Sequence, residues 1–340
     1  MNSRRDWKVI LFTIVGIGIV LALLFTLKGG SGDKYATPGW AVTRPPYVVL
    51  TLAVQEDTLW AGGKDGVYKL DRQSGNLIEK LEGEHSFEYV KALLVDSSGA
   101  LWIGHWDGLT RYDGVTWQTY TEKTGLPDNR VNALMEDREG QLWVGTWGGV
   151  AVLEEGEWRV INSADGLADD MVNVILQDRE GGMWFGSYVA PDGGISYFKD
   201  GKWQLFSTST GLPHNNITSL LEDSSGGVWA GTGLNERGGA ARFGSTGTGW
   251  AIEEVITRDD GLAGEKVRSL FQDSDGVIWF GSEYDGVARV KKGQWSVLTD
   301  NDGLSHNEVM CMLQDAEGDL WLGTRDGITR ITAAALVALR

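Results

Sequence analysis

The sequence predicts an all-β fold, a single closed seven-bladed β-propeller of four-stranded blades. First, a tryptophan recurs every 41 to 50 residues in nearly the same context, at Trp60, Trp102, Trp143, Trp184, Trp229, Trp279 and Trp321. Second, an Asp-x-x-Gly turn precedes six of these seven marker tryptophans. Third, the chain contains 48 glycines, which many tight turns require. A repeat of this length, built from short strands, indicates a propeller because one blade cannot bury its own apolar faces.

The N-terminal residues predict one transmembrane helix. Residues 9–27 contain no charge, and Arg4, Arg5 and Lys8 precede them. At about 1.5 Å per residue this segment nearly spans a hydrocarbon core of about 30 Å. The basic N-terminus favours a cytoplasmic location for residues before the helix. We therefore expect a signal anchor in residues 1–28, a flexible linker in residues 29–38, an extracytoplasmic propeller in residues 39–335, and a tail in residues 336–340.

Each regular unit of the repeat predicts four short strands. In the unit that begins at residue 131, the strands are expected at 131–135, 142–145, 150–153 and 156–160. Residues 165–167 then form a hinge to the next blade. Each segment is short, rich in β-branched and aromatic residues, and bounded by turn residues.

The two ends of the repeat predict how the ring closes. The last unit ends after three strands, at residues 328–331. Residues 39–43 have the context of a fourth strand, with Trp40 in the outer-strand position, but they precede the first blade. We expect residues 40–43 to complete the seventh blade, because this arrangement leaves no long strand edge unpaired.

Composition excludes several classes of function. The net charge of −17 argues against a nucleic-acid partner. A disulfide framework is excluded because Cys311 is the single cysteine, and its apolar strand predicts an inert buried thiol. The Asp-x-x-Gly turns lack the downstream Glu of a calcium loop. From these residues we predict no metal, no cofactor and no catalytic residue.

One motif resembles a known family. Gly125-Leu126-Pro127-Asp128-Asn129, followed by an Asp-x-x-Gly-x-Leu-Trp-x-Gly-Thr segment at 137–146, resembles the two-component regulator propeller repeat. The resemblance spans about residues 39–335, although the first blade lacks the outer tryptophan and the Gly-Leu hinge. It implies the extracytoplasmic sensor portion of a bacterial hybrid histidine kinase. Sensors of this family continue into a membrane segment and a kinase. Because this chain ends at Arg340, we expect a separate partner to complete any signalling.

A second resemblance is to the streptogramin lyases, through Gly182-Met183-Trp184-Phe185-Gly186. It implies a propeller enzyme that works with a catalytic histidine, acidic residues and a metal. The four histidines of this chain show no recognisable metal-ligand spacing, so those roles are not carried over; they are His85, His105, His214 and His306. His214 and His306 occupy equivalent hinge positions two blades apart, and we expect them to be solvated turn histidines.

Departures from the repeat indicate a binding face. Six residues normally separate the marker tryptophan from the glycine that opens the third strand, as from Trp102 to Gly108. The spacing rises to ten in blades four and five and to seven in blade six. These insertions fall on the face where the second-to-third-strand turns and the interblade hinges are expected. Insertions confined to one face are typical of a binding surface.

The side chains expected on that face are not types that the scaffold requires. Aromatic and charged residues follow the marker tryptophans, and amide or cationic residues open the innermost strands. The predicted binding residues are Trp106, Trp147, Tyr188, Tyr284, Lys91, Asn132, Asn173, Arg268 and Arg325. Aromatic rings at the mouth with polar groups beneath would fit a sugar-like, anionic or peptide ligand. The alternative is that the rings only pack across neighbouring loops.

These observations favour a membrane-anchored extracytoplasmic binding module. It would recognise a small ligand or a protein partner, such as a separate kinase, a transporter or a membrane complex. One alternative is an accessory or scaffold subunit of a membrane protein complex, which an apolar stripe on the outer strands would favour. The other is a lyase or hydrolase that uses Glu283 and Asp285, which paired carboxylates near the axis or a bound metal would favour.

Overall fold

The computed structural model describes residues 37–81, 87–188, 192–235 and 237–339. In these residues the chain forms seven antiparallel sheets of four strands each. Each sheet is one blade, and the innermost strands of consecutive blades contact one another around the whole ring. The predicted seven-bladed propeller is therefore confirmed.

Within blades 1 to 6 the strands run in chain order from the axis outward. Strand β1 (Trp40–Thr43) comes first, followed in blade 1 by β2 (Val49–Gln55), β3 (Thr58–Gly63), β4 (Gly66–Asp71) and β5 (Leu77–Lys80), and in blade 2 by β6 (Ala92–Val95), β7 (Leu101–His105), β8 (Gly108–Tyr112) and β9 (Trp117–Tyr120). Blade 3 contains β10 (Val131–Glu136), β11 (Leu142–Thr146), β12 (Gly149–Glu154) and β13 (Glu157–Ile161), and blade 4 contains β14 (Val172–Gln177), β15 (Met183–Ser187), β16 (Ile195–Lys199) and β17 (Lys202–Phe206). Blade 5 contains β18 (Ile217–Glu222), β19 (Val228–Leu234), β20 (Arg237–Ser245) and β21 (Trp250–Ile256), blade 6 contains β22 (Val267–Gln272), β23 (Ile278–Ser282), β24 (Val287–Lys291) and β25 (Gln294–Leu298), and blade 7 contains β26 (Val309–Gln314), β27 (Leu320–Thr324) and β28 (Gly327–Ile331).

Strand β1 completes blade 7, as the sequence predicts. It pairs antiparallel with β28, with Trp40 opposite Ile331 and Thr43 opposite Ile328. Thr43 Oγ1 also donates a hydrogen bond of 2.8 Å to the carbonyl of Gly75 in blade 1. The strand that precedes the first blade thus supplies the outer edge of the last one and joins the two ends of the ring.

The marker tryptophans are buried between neighbouring blades, as expected. Each of the seven is at most 7% exposed. In blades 2 to 7 the indole Nε1 donates to the aspartate of the preceding turn; Trp143 Nε1, for example, lies 2.7 Å from Asp137 Oδ2. The other carboxylate oxygen of Asp137 accepts from backbone N–H groups of the turn. One aspartate therefore fixes both the turn and the indole, which explains why the two residues repeat together. In blade 1, Gln55 Oε1 replaces the aspartate at 2.9 Å.

Blade 5 departs from the repeat in its outer half. In blades 3, 4 and 6 the outer-strand tryptophan packs over a hinge glycine, as Trp203 does over Gly166. In blade 5 a bulge between Arg242 and Phe243 shifts the register, and Ile252 takes that position over Gly211. Trp250 is displaced toward blade 4 instead, where its ring meets Trp184 edge-on at a centroid distance of 5.0 Å. The longer segment from Arg242 to Trp250 therefore adds a contact between blades.

A short helix, α1 (Ala333–Ala338), follows the last strand and spans the predicted domain boundary at residue 335. Leu336 packs into the core beneath blade 7. The predicted membrane segment, residues 9–27, lies outside the described residues. Within those residues, helices that are both long and apolar enough to cross a bilayer are absent.

Candidate functional site

One face of the ring carries the interblade hinges together with the turns between the second and third strands. Backbone hydrogen bonds join the two in several blades. The amide of Trp106 donates to the carbonyl of Glu88, that of Tyr188 to Met171, and that of Arg325 to Glu308. We call this surface the channel-mouth face. The sequence expectation that turns and hinges lie at the same end is therefore confirmed.

The central channel brings together residues from all seven innermost chain segments. Five of the nine predicted binding residues line one cavity of about 110 Å³. They are Lys91, Asn132, Asn173, Tyr188 and Arg268, and Leu50, Thr218 and Met310 complete the lining. The positions at which the inner strands differ in residue type are thus the positions that face the axis.

The channel amides have a structural task that the sequence did not reveal. Asn132 Nδ2 lies 3.3 Å from the carbonyl of Val172, and Asn173 Nδ2 lies 2.9 Å from that of Ile217. Thr218 Oγ1 donates in the same way to Val267 of the following blade. Each side chain thereby ties its inner strand to the next one around the ring. Their donors serve the scaffold, so these residues are weaker ligand candidates than the two channel cations.

Lys91 is the most distinctive group in the channel. It is partly buried, and among the described residues no carboxylate forms an ion pair with it. Burial, together with the nearby positive charges of Arg268 and Lys266, lowers the pKa of Lys91 from 10.5 to about 8. The ammonium group is therefore held in a region of positive potential, although the chain as a whole has a net charge of −17.

Arg268 connects the channel to a chain of ion pairs on the channel-mouth face. Its guanidinium contacts Glu308, and it lies 3.6 Å from Glu283. Glu283 also pairs with Lys266 at 3.1 Å, and Glu308 with Arg325 at 3.3 Å. The predicted residue Arg325 therefore stands at the rim, bound to Glu308, and is not part of the channel lining.

Trp106 presents an aromatic surface on the same face. It is 43% exposed and stacks on Tyr89, with ring centroids 4.3 Å apart and planes 14° apart. The Lys64 ammonium lies 5.9 Å from the centroid of the Tyr89 ring on this face. Tyr89 was missed by the sequence analysis because it lies in the hinge before blade 2, which departs from the repeat. The one feature of the sequence that could have identified Tyr89 as a binding candidate is that it is an aromatic residue in an irregular hinge.

Trp147 is more restrained than Trp106. The Arg130 guanidinium lies 4.2 Å from the centroid of its ring. Arg130 is itself held by Asp128, with Nε 2.8 Å from Oδ1. One face of the indole is thus covered by a neighbouring hinge, an arrangement that also fits the loop-bracing alternative.

Tyr284 lies apart from the channel. It is 62% exposed and borders a second cavity of about 470 Å³ between blades 5 and 6. Glu283 and Asp285, the carboxylates considered for a hydrolase, line this second cavity as well. Glu283 forms ion pairs with Lys266 and Arg268, so its carboxylate is not free to act as a general acid or base.

The histidines and the cysteine have local roles. His214 Nδ1 and His306 Nδ1 each accept a hydrogen bond from the backbone N–H two residues later, at 2.9 Å and 2.8 Å. Burial raises the pKa of the Cys311 thiol to about 12, as expected for an inert side chain. Within the described ranges, no group of three or more His, Cys, Asp or Glu residues is arranged to hold a metal ion.

The outer strands carry single exposed apolar residues at equivalent positions of blades 3 to 6. These residues are Val160, Leu205, Val255 and Val297, between 38% and 50% exposed. Each is on a different blade.

Comparison with known proteins identifies the repeat. The profile described as "Two component regulator propeller" matches residues 125–148, 166–189, 211–233, 261–284 and 303–326. Each matched stretch begins at a hinge and includes the inner strand and the marker strand. These are the parts that build the channel and its mouth. No protein with a curated description matches the chain.

Solved structures share the fold. The extracellular domain of BT3049 from B. thetaiotaomicron, described as a hybrid two component system, matches with 21% identity and a TM-score of 0.76, over 89% of this chain and 42% of that chain. The extracellular domain of BT4673 from B. thetaiotaomicron, described in the same way, matches with 18% identity and a TM-score of 0.70, over 86% and 39%. A streptogramin B lyase matches with 15% identity and a TM-score of 0.64, over 86% and 97%. The chain spans about two-fifths of the length of the first two structures.

Proposed function

Because this chain is a seven-bladed propeller with two-component regulator propeller repeats, we propose that it is a membrane-anchored extracytoplasmic binding module. Its binding surface is the channel-mouth face, and its ligand is a small sugar-like or anionic molecule. The proposal is supported by the fold shared with extracellular domains described as parts of hybrid two component systems. In the family's usual arrangement the propeller senses and a kinase responds.

The observation that carries this proposal is the exposed aromatic stack of Trp106 on Tyr89. A stacked, half-exposed indole offers a flat contact surface whose ordering cost is already met before the ligand arrives. Tyr188 lies in the channel lining below the same face, and Lys91 and Arg268 supply positive charge there. An aromatic surface with cations beneath it matches the faces and acidic groups of a charged sugar.

Replacing Trp106 and Trp147 together by alanine is expected to weaken ligand binding at least tenfold, about 1.4 kcal/mol. The melting temperature should change little, because neither ring belongs to a core cluster between blades. The measurement is isothermal calorimetry of the full-length chain in detergent micelles. Its probes are a panel of neutral and uronate-containing oligosaccharides of equal length.

Trp117→Ala is the matched control, because Trp117 stacks on Tyr112 at 4.0 Å in blade 2 but belongs to the outer strand β9. This variant should lower stability and leave oligosaccharide affinity unchanged. The proposal fails if no member of the panel binds the wild-type chain. If the Trp106/Trp147 double variant loses stability and affinity in parallel, the rings brace the loops instead.

The anchor is a separate part of the proposal. Residues 9–27 would hold the chain in the cytoplasmic membrane with the N-terminus inside and the propeller outside. This rests on the uncharged run and on the basic residues before it. After washing of membranes at alkaline pH with carbonate, the full chain should stay in the pellet, and a variant lacking residues 9–27 should be released. Recovery of the full chain in the wash would exclude a spanning anchor.

A further inference from the structure

We propose that the central channel contains a binding site for one oxyanion group, a carboxylate, phosphate or sulfate, held between Lys91 and Arg268. The inference rests on the proposed binding function and deepens it by naming the chemical group that the channel takes. The group can belong to a free inorganic anion or to the acidic end of a larger ligand that lies across the aromatic surface above.

Position is the first support. Lys91 belongs to blade 2 and Arg268 to blade 6, and both side chains border the same cavity of about 110 Å³. One water molecule needs at least about 10–15 Å³ of such cavity volume, so the cavity has room for several waters or for one oxyanion group.

The charges of the lining are the second support. Its eight residues include two cations and no carboxylate. Lys266, behind Arg268, adds to the positive potential at Lys91. A positively charged cavity differs from the rest of the chain, whose net charge is −17. Positive charges that face one another across a narrow space favour an anion between them.

Unpaired donors are the third support. Arg268 reaches Glu308 and Glu283 through Nη2, and its buried Nε has no hydrogen-bond partner in the described part of the chain. Buried polar groups are normally paired, and a buried donor with no acceptor is costly. Asn132 and Asn173, in contrast, spend amide donors on neighbouring carbonyls. Each amide keeps a second N–H, so the donors that remain for a ligand are those of the two cations, the second N–H of each amide and the Tyr188 hydroxyl.

The test uses sodium sulfate as the probe and the full-length chain in detergent, with ionic strength held constant by sodium chloride. Wild type should show a saturable rise in melting temperature at millimolar sulfate. Lys91→Met should raise the sulfate concentration for half-maximal stabilisation at least tenfold. Without sulfate, this variant should melt higher than wild type at pH 7, because it removes a partly buried cation that faces Arg268 and Lys266.

Lys64→Met is the matched control. It removes the same charge from the same face, but Lys64 lies beside Tyr89 and not in the channel lining. Its sulfate response should equal that of wild type. General stabilisation by sulfate acts through exclusion from the protein surface and would be the same in all three chains. Equal responses in wild type and in Lys91→Met would therefore overturn the proposal.

The pH dependence gives an independent readout. The titratable and charged groups around the site are Lys91, Arg268 and Tyr188 in the lining, with Lys266, Glu283 and Glu308 behind Arg268. Because the pKa of Lys91 is about 8, sulfate affinity should fall as pH rises from 7 to 9.5. Lys91→Met should show a flat profile. A profile in wild type that is also flat would contradict a role for the Lys91 ammonium.

Competition separates this inference from the proposed function. Sulfate should displace a uronate-containing oligosaccharide from wild type and leave a neutral one bound. Sulfate binding at Lys91 with no binding of any oligosaccharide would support the anion site and exclude a sugar-like ligand. Oligosaccharide binding that depends on Trp106 but ignores both sulfate and Lys91 would overturn the anion site alone.

Discussion

Replacing Trp279 by alanine is expected to lower the free energy of unfolding by about 3–5 kcal/mol. The side chain is fully buried and packs in one cluster with Val309, Leu320 and Leu322 of blade 7. Its removal leaves a cavity between blades 6 and 7. It also leaves Asp273 Oδ2, which accepts the indole N–H at 3.0 Å, without that donor. Urea or guanidinium unfolding followed by circular dichroism measures the change.

Trp279→Phe separates the two contributions. Phenylalanine retains most of the apolar contact but cannot donate to Asp273, so its cost should be smaller, about 1–3 kcal/mol. The expected order of stability is wild type, then Trp279→Phe, then Trp279→Ala. An unfolding midpoint for the alanine variant equal to that of wild type would show that the marker tryptophans do not hold the blades together.

Deleting residues 38–44 is expected to produce the second large effect. The deletion removes β1, exposes the edge of β28, and eliminates the bond from Thr43 to Gly75 that joins blade 7 to blade 1. It also removes Trp40, which packs against the core beneath blade 7. We expect a loss of about 3 kcal/mol or more, because an aromatic side chain and a whole strand pairing disappear together. Differential scanning calorimetry of the full chain and of the deletion variant measures the loss.

Deletion of residues 29–35 is the matched control, because it shortens the chain by the same number of residues and retains β1. This control should melt like wild type. The exposed edge of β28 should also make the 38–44 deletion prone to association through strand pairing, visible as a concentration-dependent sedimentation coefficient. A 38–44 deletion that melts like the control would mean that the ring does not depend on its seventh outer strand.

The fold could be predicted from the sequence because its signals are local. The marker tryptophans and the Asp-x-x-Gly turns recur at fixed spacings, and in blades 2 to 7 the turn aspartate binds the indole of its own blade, as Asp137 binds Trp143. Closure by residues 40–43 followed from counting complete and incomplete units. The location of Lys91 and Arg268 at the channel followed from their place at the start of the innermost strands.

Other features depended on contacts between blades, which no local pattern encodes. The amides of Asn132 and Asn173 bind carbonyls in the following blade, so they serve the ring more directly than a ligand. Trp250 has the spacing of an outer-strand tryptophan, but a bulge displaces it toward blade 4. Tyr89 lies in an irregular hinge and becomes part of the aromatic surface only when Trp106 stacks on it.

The sequence by itself therefore determined the number of blades, the closure of the ring and the face that departs from the repeat. Only the tertiary structure decided which side chains on that face are free to bind. Among the described residues, it paired Glu283 and Glu308 with Lys266, Arg268 and Arg325, and it left Lys91 without an ion pair and the buried Nε of Arg268 without an acceptor. The physical reason is that hairpins form from adjacent residues, whereas the ion pair of Arg268 with Glu308 and the approach of Lys91 to Arg268 bring together residues of different blades.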